Sequence, residues 1–301
     1  MWRWRWFSIL KRALAAGRCL LRYNFAYSRV LKSCRLAVRI PEENRMTASI
    51  ASTAKLIAAE HRDGKAFHIL EGVPDLAAAY QVQKVYLGEV IGADRIAGYK
   101  IGLTSQKMQA MCGIDHPISG AVFGRRVMNS GAKVRIADYH HLGLEFEICA
   151  RLGRDLAPRK TPYTRDEAGK AVDAVCAAIE LVDDRHADYA VLDCRSLVAD
   201  NSWNAGVILG SFVEPPSPLD EVVGIAYQDG IEIGRGRGAD ALGHPFEPLA
   251  WLANHLGMQG EGLKKGDIVM TGSIVTTRFP QAAFSYRFDV SSLGSVEVSG
   301  T

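Results

Sequence analysis

Two glutamates one residue apart are the first feature that could do chemistry. In Gly143-Leu144-Glu145-Phe146-Glu147-Ile148-Cys149-Ala150-Arg151-Leu152 the residue types alternate strictly. The pattern predicts a strand, with Leu144, Phe146, Ile148, Ala150 and Leu152 on one face and Glu145 and Glu147 on the other. Same-face strand neighbours stand about 7 Å apart. Two carboxylates so placed repel unless water surrounds them or a cation lies between them. A solvated outer face is one reading of the pair alone. A second segment favours the cation. Ala177-Ala178-Ile179-Glu180-Leu181-Val182 is an apolar strand carrying one acid, and a carboxylate there needs a partner or a metal. Glu180 beside Glu145 and Glu147 would make an all-oxygen site suited to Mg2+, Mn2+ or Ca2+ rather than zinc. Gly98-Tyr99-Lys100-Ile101-Gly102-Leu103-Thr104 places one lysine between apolar neighbours. Lys100 reads either as an edge-strand charge or as a partly buried ammonium that balances an anionic substrate or moves a proton. His141, four residues before Glu145, reads on its own as a loop or core histidine.

These groups need elements to hold them. The segment from Ser49 to about Arg62 is Ala/Leu/Ile-rich and helical in pattern. Asp75 opens a second helix and Gly92 closes it. A strand from Ile96 to Leu103 follows, then a short helix at Ser105–Met111. Thr164-Arg165-Asp166-Glu167 is a capping box that predicts a helix to about Ala178. Asp229-Gly230 between two β-like runs predicts a hairpin turn. A helix over Phe246–Leu256 is expected to stop at Gly257, and Ile268–Met270, Phe284–Val290 and Ser295–Val298 read as strands. Gly234-Arg235-Gly236-Arg237-Gly238 has the glycine content of a nucleotide loop, but no helix opens after it; a basic turn is the better reading. Helices early and strands late, without regular βαβ alternation, predict an α+β fold with a mixed sheet.

Composition bounds the function classes. The chain has 301 residues, 48% hydrophobic and 23% charged, an ordinary globular balance. No apolar run of about 18 residues is present, which excludes a hydropathy-defined transmembrane helix. The net charge of +3 is a sum of unlike parts. Eleven of the 36 Lys+Arg but only two of the 33 Asp+Glu lie in residues 1–45. The segment opening Trp2-Arg3-Trp4-Arg5-Trp6 is therefore basic, and the remainder is acidic. Three readings of residues 1–45 stand: a disordered arm, a stretch absent from the mature protein with the working start at Met46, or an arm for membranes or nucleic acid. Residues 46–301 are expected to form one catalytic domain, with a helical part over 46–95 and a β part over 96–301. The six cysteines form no Cys-x-x-Cys pair and point to a reducing cytoplasm.

Together these segments resemble the 2-oxopent-4-enoate (2-keto-4-pentenoate) hydratase / 4-oxalocrotonate decarboxylase family of the fumarylacetoacetate hydrolase superfamily. The resemblance runs from about Ile96 to the C-terminus. It is carried by the Lys100 segment, His141-x-x-x-Glu145-x-Glu147, Ile179-Glu180, Val198-Ala199-Asp200-Asn201-Ser202, Leu242-Gly243-His244-Pro245, Gly266-Asp267-Ile268-Val269-Met270-Thr271-Gly272-Ser273 and Leu293-Gly294-Ser295-Val296. It implies a mixed-sheet β-roll with helices mainly in the N-terminal part, a Mg2+ or Mn2+ ion and a homo-oligomer. By position it gives Glu145, Glu147 and Glu180 the metal-ligand role and Lys100 the catalytic lysine role. Thr271, Gly272 and Ser273 fall where the family binds the substrate carboxylate, and Asp200, Asn201 and His141 fall near the site. Hydratases often carry an acid after the proline of a Pro-x-x-Gly segment. Here that segment reads Pro117-Ile118-Ser119-Gly120, closer to the decarboxylase branch, with Asp115 as a substitute acid nearby. The implied activity is a hydro-lyase of aromatic-compound catabolism, adding water to a 2-hydroxy-2,4-dienoate or 2-oxo-4-enoate to give a 4-hydroxy-2-oxo acid. A decarboxylase on the same metal site is the runner-up. A catalytically inactive protein, or one acting through residues 1–45 on membranes or nucleic acid, is the alternative of another class.

Overall fold

The fold is carried by two β-sheets, described from a computed structural model over residues 42–301. The basic stretch before residue 42, with every reading placed on it, lies outside the described residues. Helix α1 (Glu42–Asp63) and helix α2 (Leu76–Ile91) come first. Asp75 caps α2 by accepting from the Ala78 N–H, and Gly92 ends it at φ +59°. Strand β1 (Ile96–Gly102), helix α3 (Gln106–Met111, capped by Ser105), β2 (Ile118–Phe123), β3 (Val127–Asn129) and β4 (Ala132–Val134) follow. Next are β5 (Leu142–Leu152), α4 (Arg165–Gly169), β6 (Val172–Asp183), α5 (Cys194–Ala199) and β7 (Asn204–Leu209). The chain closes with β8 (Val223–Gln228), β9 (Ile231–Arg237), α6 (Phe246–Met258), β10 (Ile268–Arg278), β11 (Phe284–Val290) and β12 (Gly294–Gly300).

Seven strands form one sheet in the order β2-β1-β10-β5-β6-β7-β3, and five form the other in the order β4-β12-β11-β8-β9. Both are mixed: β1 pairs β10 in parallel and β12 pairs β4 in parallel, among antiparallel neighbours. The alternation of β5 explains the stacking. Leu144, Phe146 and Ile148, with Ala177, Ile179 and Leu181 of β6, join Phe284, Tyr286, Phe288, Val296 and Val298 of the second sheet in one apolar core. The opposite face of β5 and β6 turns to a second core that includes Cys149, Cys176, Ala178, Val207 and Met270. Glu145, Glu147 and Glu180 lie on that second face by strand periodicity. The helices α1, α2 and α5 pack into a third cluster around Ile57, Ala79, Val82 and Val198. No helix among the described residues is long and apolar enough to cross a membrane.

Three local expectations are corrected. The capping box of Thr164 and Glu167 forms, but its helix ends at Gly169. From Val172 the chain joins the 12-residue strand β6 instead, where pairing with β5 outweighs local helix preference. Gly257 lies inside α6, which ends at Met258 with Gln259 as its C-cap and Gly260 at φ +75° just beyond. The Gly234–Gly238 run is mostly strand β9 and not a turn. A Cβ on Gly236 would sit 1.8 Å from the Ile274 carbonyl oxygen, so glycine there permits close backbone approach. The hairpin at Asp229-Gly230 forms as expected, both residues having positive φ.

Candidate metal centre

The register of β5 on β6 sets Glu145 directly opposite Glu180. Glu147 is the next residue on that face. Carboxylate oxygens of Glu145, Glu147 and Glu180 all lie within 4.8 Å of one another. Glu147 and Glu180 are fully buried, at 0% exposure, and Glu145 is half-buried. A solvated outer face is thereby excluded.

Each acid is held by a group that the long-range fold delivers. Glu180 Oε1 accepts from Asn204 Nδ2 at 2.9 Å and lies 3.3 Å from the Lys100 ammonium. Lys100 is itself 4% exposed, on β1. Glu147 Oε2 accepts the Gly272 N–H at 2.8 Å, and Glu145 Oε1 accepts from Thr277 Oγ1 at 3.0 Å. Gly272 sits where the β10–β5 register shifts, between Met270 and Ser273. Its φ is +107°, and an added Cβ would meet Thr104 Oγ1 at 2.3 Å. Only glycine fits this bulge, and the bulge aims the N–H at Glu147. Asn204 follows three successive residues with positive φ, Asn201, Ser202 and Trp203. Such a run costs energy in non-glycine residues, and it swings the chain from α5 into β7.

Two acceptor atoms of the cluster are left over. Glu147 Oε1 and Glu180 Oε2 are buried without a hydrogen-bond partner. Burial pushes the Glu147 carboxyl well above the usual carboxylate range, and Glu180 and Glu145 push it further. Glu180 is pushed up to about 7, by burial first and against the pull of Lys100. Burial lowers Lys100, but the three carboxylates outweigh that and hold its ammonium above its ordinary value. Three acids face one cation, so the cluster lacks positive charge. Unpartnered buried oxygens in an all-carboxylate set fit a hard divalent ion.

The other residues singled out from the sequence fall differently. Thr271 is buried and its hydroxyl donates to the Ile148 carbonyl. Ser273 Oγ bonds the Val275 carbonyl and the Phe146 N–H. These two side chains hold the β10 bulge, and only the Gly272 N–H of this trio reaches the cluster. Asp200 is buried between Arg185 Nη2 at 2.7 Å and His61 Nε2 at 2.5 Å. Asn201 makes a two-way amide bridge to the backbone of Ala121 on β2. Both spend their hydrogen bonds on joining helices to sheet. Asp115 is exposed, beyond α3, in no ion pair among the described residues. His141 immediately precedes β5, with Nδ1 2.7 Å from Asp184 Oδ1. Asn204, Thr277 and Asp184 are additions that sequence reasoning missed. Of these, only Asp184 had a local signal, as an acid at the end of the strand that carries Glu180.

Residues 107–298 match the family model described as fumarylacetoacetate (FAA) hydrolase C-terminal. A 2-keto-4-pentenoate hydratase of Burkholderia vietnamiensis (strain G4 / LMG 22486) is 34% identical over 262 residues, covering 84% of this chain and 98% of that protein. A 4-oxalocrotonate decarboxylase of a Pseudomonas species is 30% identical over 225 residues, covering 74% of this chain and 86% of that one. Among solved structures, 4-oxalocrotonate decarboxylase from Pseudomonas putida G7, complexed with magnesium and adipate, superposes with a TM-score of 0.79. Its sequence identity is 25%, over 85% of this chain and 98% of that chain.

Proposed function

The chain belongs to the fumarylacetoacetate hydrolase family, in its 2-keto-4-pentenoate hydratase / 4-oxalocrotonate decarboxylase branch, and on that premise we propose that it is a divalent-metal-dependent hydratase. Its substrate is a small 2-hydroxy-2,4-dienoate or the tautomeric 2-oxo-enoate, and its product a 4-hydroxy-2-oxo acid. The observation that carries this reading is the cluster of Glu145, Glu147 and Glu180, two of them buried with unpartnered oxygens. Magnesium in the solved decarboxylase supports Mg2+, with Mn2+ as its hard-ligand equivalent.

Glu145, Glu147 and Glu180 would hold the ion, which when bound supplies Lewis acidity toward a 1-carboxylate and 2-oxygen. The remaining work falls to the chain. Lys100, buried and 3.3 Å from Glu180, is the charge that lets three carboxylates, a divalent ion and an anionic substrate share one small volume. Its ammonium protons are the nearest buried acid for the carbon that must be protonated when the dienol ketonises. Asn204 and Thr277 fix two of the carboxylates by single hydrogen bonds, which holds the spacing that a chelating substrate requires. After ketonisation to a conjugated enone, water adds at C4. The Gly272 N–H is already committed to Glu147, so its part in this reading is to orient a ligand carboxylate.

A decarboxylase on the same site is the second reading. It is favoured by Pro117-Ile118-Ser119-Gly120, which has no acid after the proline, and by the structural likeness to a decarboxylase. The reading extends to residues 46–301 as a single catalytic domain and to a homo-oligomer in a reducing cytoplasm; the free thiols of Cys112, Cys149, Cys176 and Cys194 support the compartment. The test is loss of dienol absorbance under a panel of 2-hydroxydienoates with and without Mg2+, with the product identified. A metal-dependent 4-hydroxy-2-oxo acid supports the hydratase. Release of CO2 without water addition supports the decarboxylase, and no turnover of either kind overturns both.

A further inference from the structure

The cluster's face of β5 and β6 is buried through Gly143 and Val182, and the partly exposed side chains on that side are Glu145 and, just before β5, His141. Glu147 and Glu180 are fully buried, Glu145 is half-buried, and the His141 side chain is 26% exposed. His141 contacts Asp184 through its side chain just past the terminal register pair of the two strands, Leu142 opposite Asp183. Asp184 is 1% exposed and has three donors: His141 Nδ1 at 2.7 Å, the His186 N–H at 2.9 Å and the Tyr189 hydroxyl at 2.9 Å. A carboxylate can only accept, so the Nδ1 position of His141 carries the hydrogen. In the neutral ring Nε2 is then the acceptor, and it has no bond to any described residue. The imidazole plane is fixed as well. It stacks between the His186 ring and the Phe279 ring, each 4.6 Å away, at interplanar angles of 21° and 7°. Phe279 in turn lies over Gly143, where a Cβ would meet its ring at 2.9 Å. Between the imidazole and the carboxylates there is thus an apolar floor and no polar side chain from β5.

We propose that His141 is the general base for the water that adds at the distal end of the substrate, and that Asp184 is its positioning residue. This deepens the hydratase reading and rests on it. His141, the residue before β5, is four residues from Glu145, at most about 14 Å between backbones. A five- to seven-carbon acid with its 2-oxo end at the carboxylates, plus one water, spans that interval with its carbon chain on Phe279. As the water oxygen bonds to C4, its proton passes to Nε2. The C3=C4 pair shifts to make the enolate at C2, and the imidazolium proton is returned at C3. Water is added in full, and His141 ends as it began. Neutral His141 with Nδ1–H held by a buried carboxylate is the form this step requires.

The experiment separates the two steps. His141→Ala and His141→Gln are given a 2-hydroxydienoate and Mg2+, and dienol loss and hydroxy-acid formation are followed independently. Hydroxy-acid formation is expected to fall about 10²–10⁴-fold, while dienol loss falls far less and the 2-oxo-enoate accumulates. Imidazole in the buffer restores hydroxy acid to His141→Ala. The Mg2+-induced rise in melting temperature stays that of the wild type. Asp184→Asn is expected to show the same product split with a smaller loss and no response to imidazole. If both steps fall together, if the Mg2+ response is lost, or if His141→Ala hydrates at the wild-type rate, the assignment of His141 is overturned. If the wild type itself forms no hydroxy acid, the hydratase reading is what has failed.

Discussion

Replacing Glu147 by Gln is expected to make the metal-free protein more stable and the metal-loaded protein useless. The side chain is fully buried. Its Oε2 accepts from Gly272, a bond the Gln carbonyl keeps, and its Oε1 has no partner. Glutamine puts an NH2 there, within reach of the two remaining carboxylates. Each like-charge contact at up to 4.8 Å costs about 3 kcal/mol at an effective dielectric near 20. The substitution removes two of them and one attraction of similar size to Lys100. A net gain of up to about 2–3 kcal/mol follows in EDTA, reached at a pH high enough to ionise Glu147 and shrinking as that carboxyl takes up its proton, read as a rise of up to about 4–10 °C in melting temperature. Wild type should recover that deficit in Mg2+, since a ligand at 100 times its Kd adds about 2.7 kcal/mol, and Glu147→Gln should not respond. The assay is differential scanning fluorimetry in EDTA and in a Mg2+ series. A less stable Glu147→Gln in EDTA, or one that gains as much from Mg2+ as the wild type, refutes the argument that these acids are held for a cation.

Three further outcomes follow from the same geometry. Lys100→Met removes the cation 3.3 Å from Glu180 and leaves buried acids uncompensated; urea denaturation in EDTA should show a loss of about 3–5 kcal/mol, partly regained in Mg2+. Gly98→Ala sets a Cβ 1.9 Å from the Ile268 carbonyl oxygen, so it must part β1 from β10. The expected result is little soluble protein, with any that folds losing Mg2+-dependent turnover; a normally stable, active Gly98→Ala would contradict the register. His255, half-buried against Trp251 and Tyr80, has its pKa lowered to about 4 by burial and then by His116. The unfolded chain binds that proton more readily, so His255 contributes stability that is complete above about pH 6.5 and drains as pH falls toward 4. In His255→Phe the melting temperature should fall less over that window; an unchanged slope speaks against the assignment.

What could be read in advance depended on how local the cause is. Leu144, Phe146 and Ile148 against Glu145 and Glu147 is a period-two pattern, and it placed the acids on one face without knowledge of the partner sheet. The caps at Asp75 and Ser105 and the turn at Asp229-Gly230 are likewise short-range chemistry. The helix expected beyond Thr164 failed at Gly169 because pairing of β6 with β5, invisible to a capping box, decides what residues 172–183 become. Thr271, Ser273, Asp200 and Asn201 lie in distinctive motifs, yet their side chains are spent on the bulge, on Arg185 and on Ala121. A motif marks where a residue is constrained, not whether by a ligand or by the fold. Asn204 and Thr277 carry no signal of their own, since polar residues of these types are common in strands and only the three-dimensional register brings them to the acids.

The parallel pairing of β1 with β10, Lys100 opposite Met270, also bears on how the molecule comes into being. The glutamates are in place once β5 and β6 form their antiparallel pair. The ammonium reaches them only after β10 has been made and has docked between β1 and β5. Contacts so remote in sequence close late, because the loop entropy must be spent before they return anything. During synthesis, therefore, the acids meet each other before they meet their counter-charge. They stay hydrated or protonated until the last ninth or so of the chain arrives, and the site is assembled and sealed in one closing step.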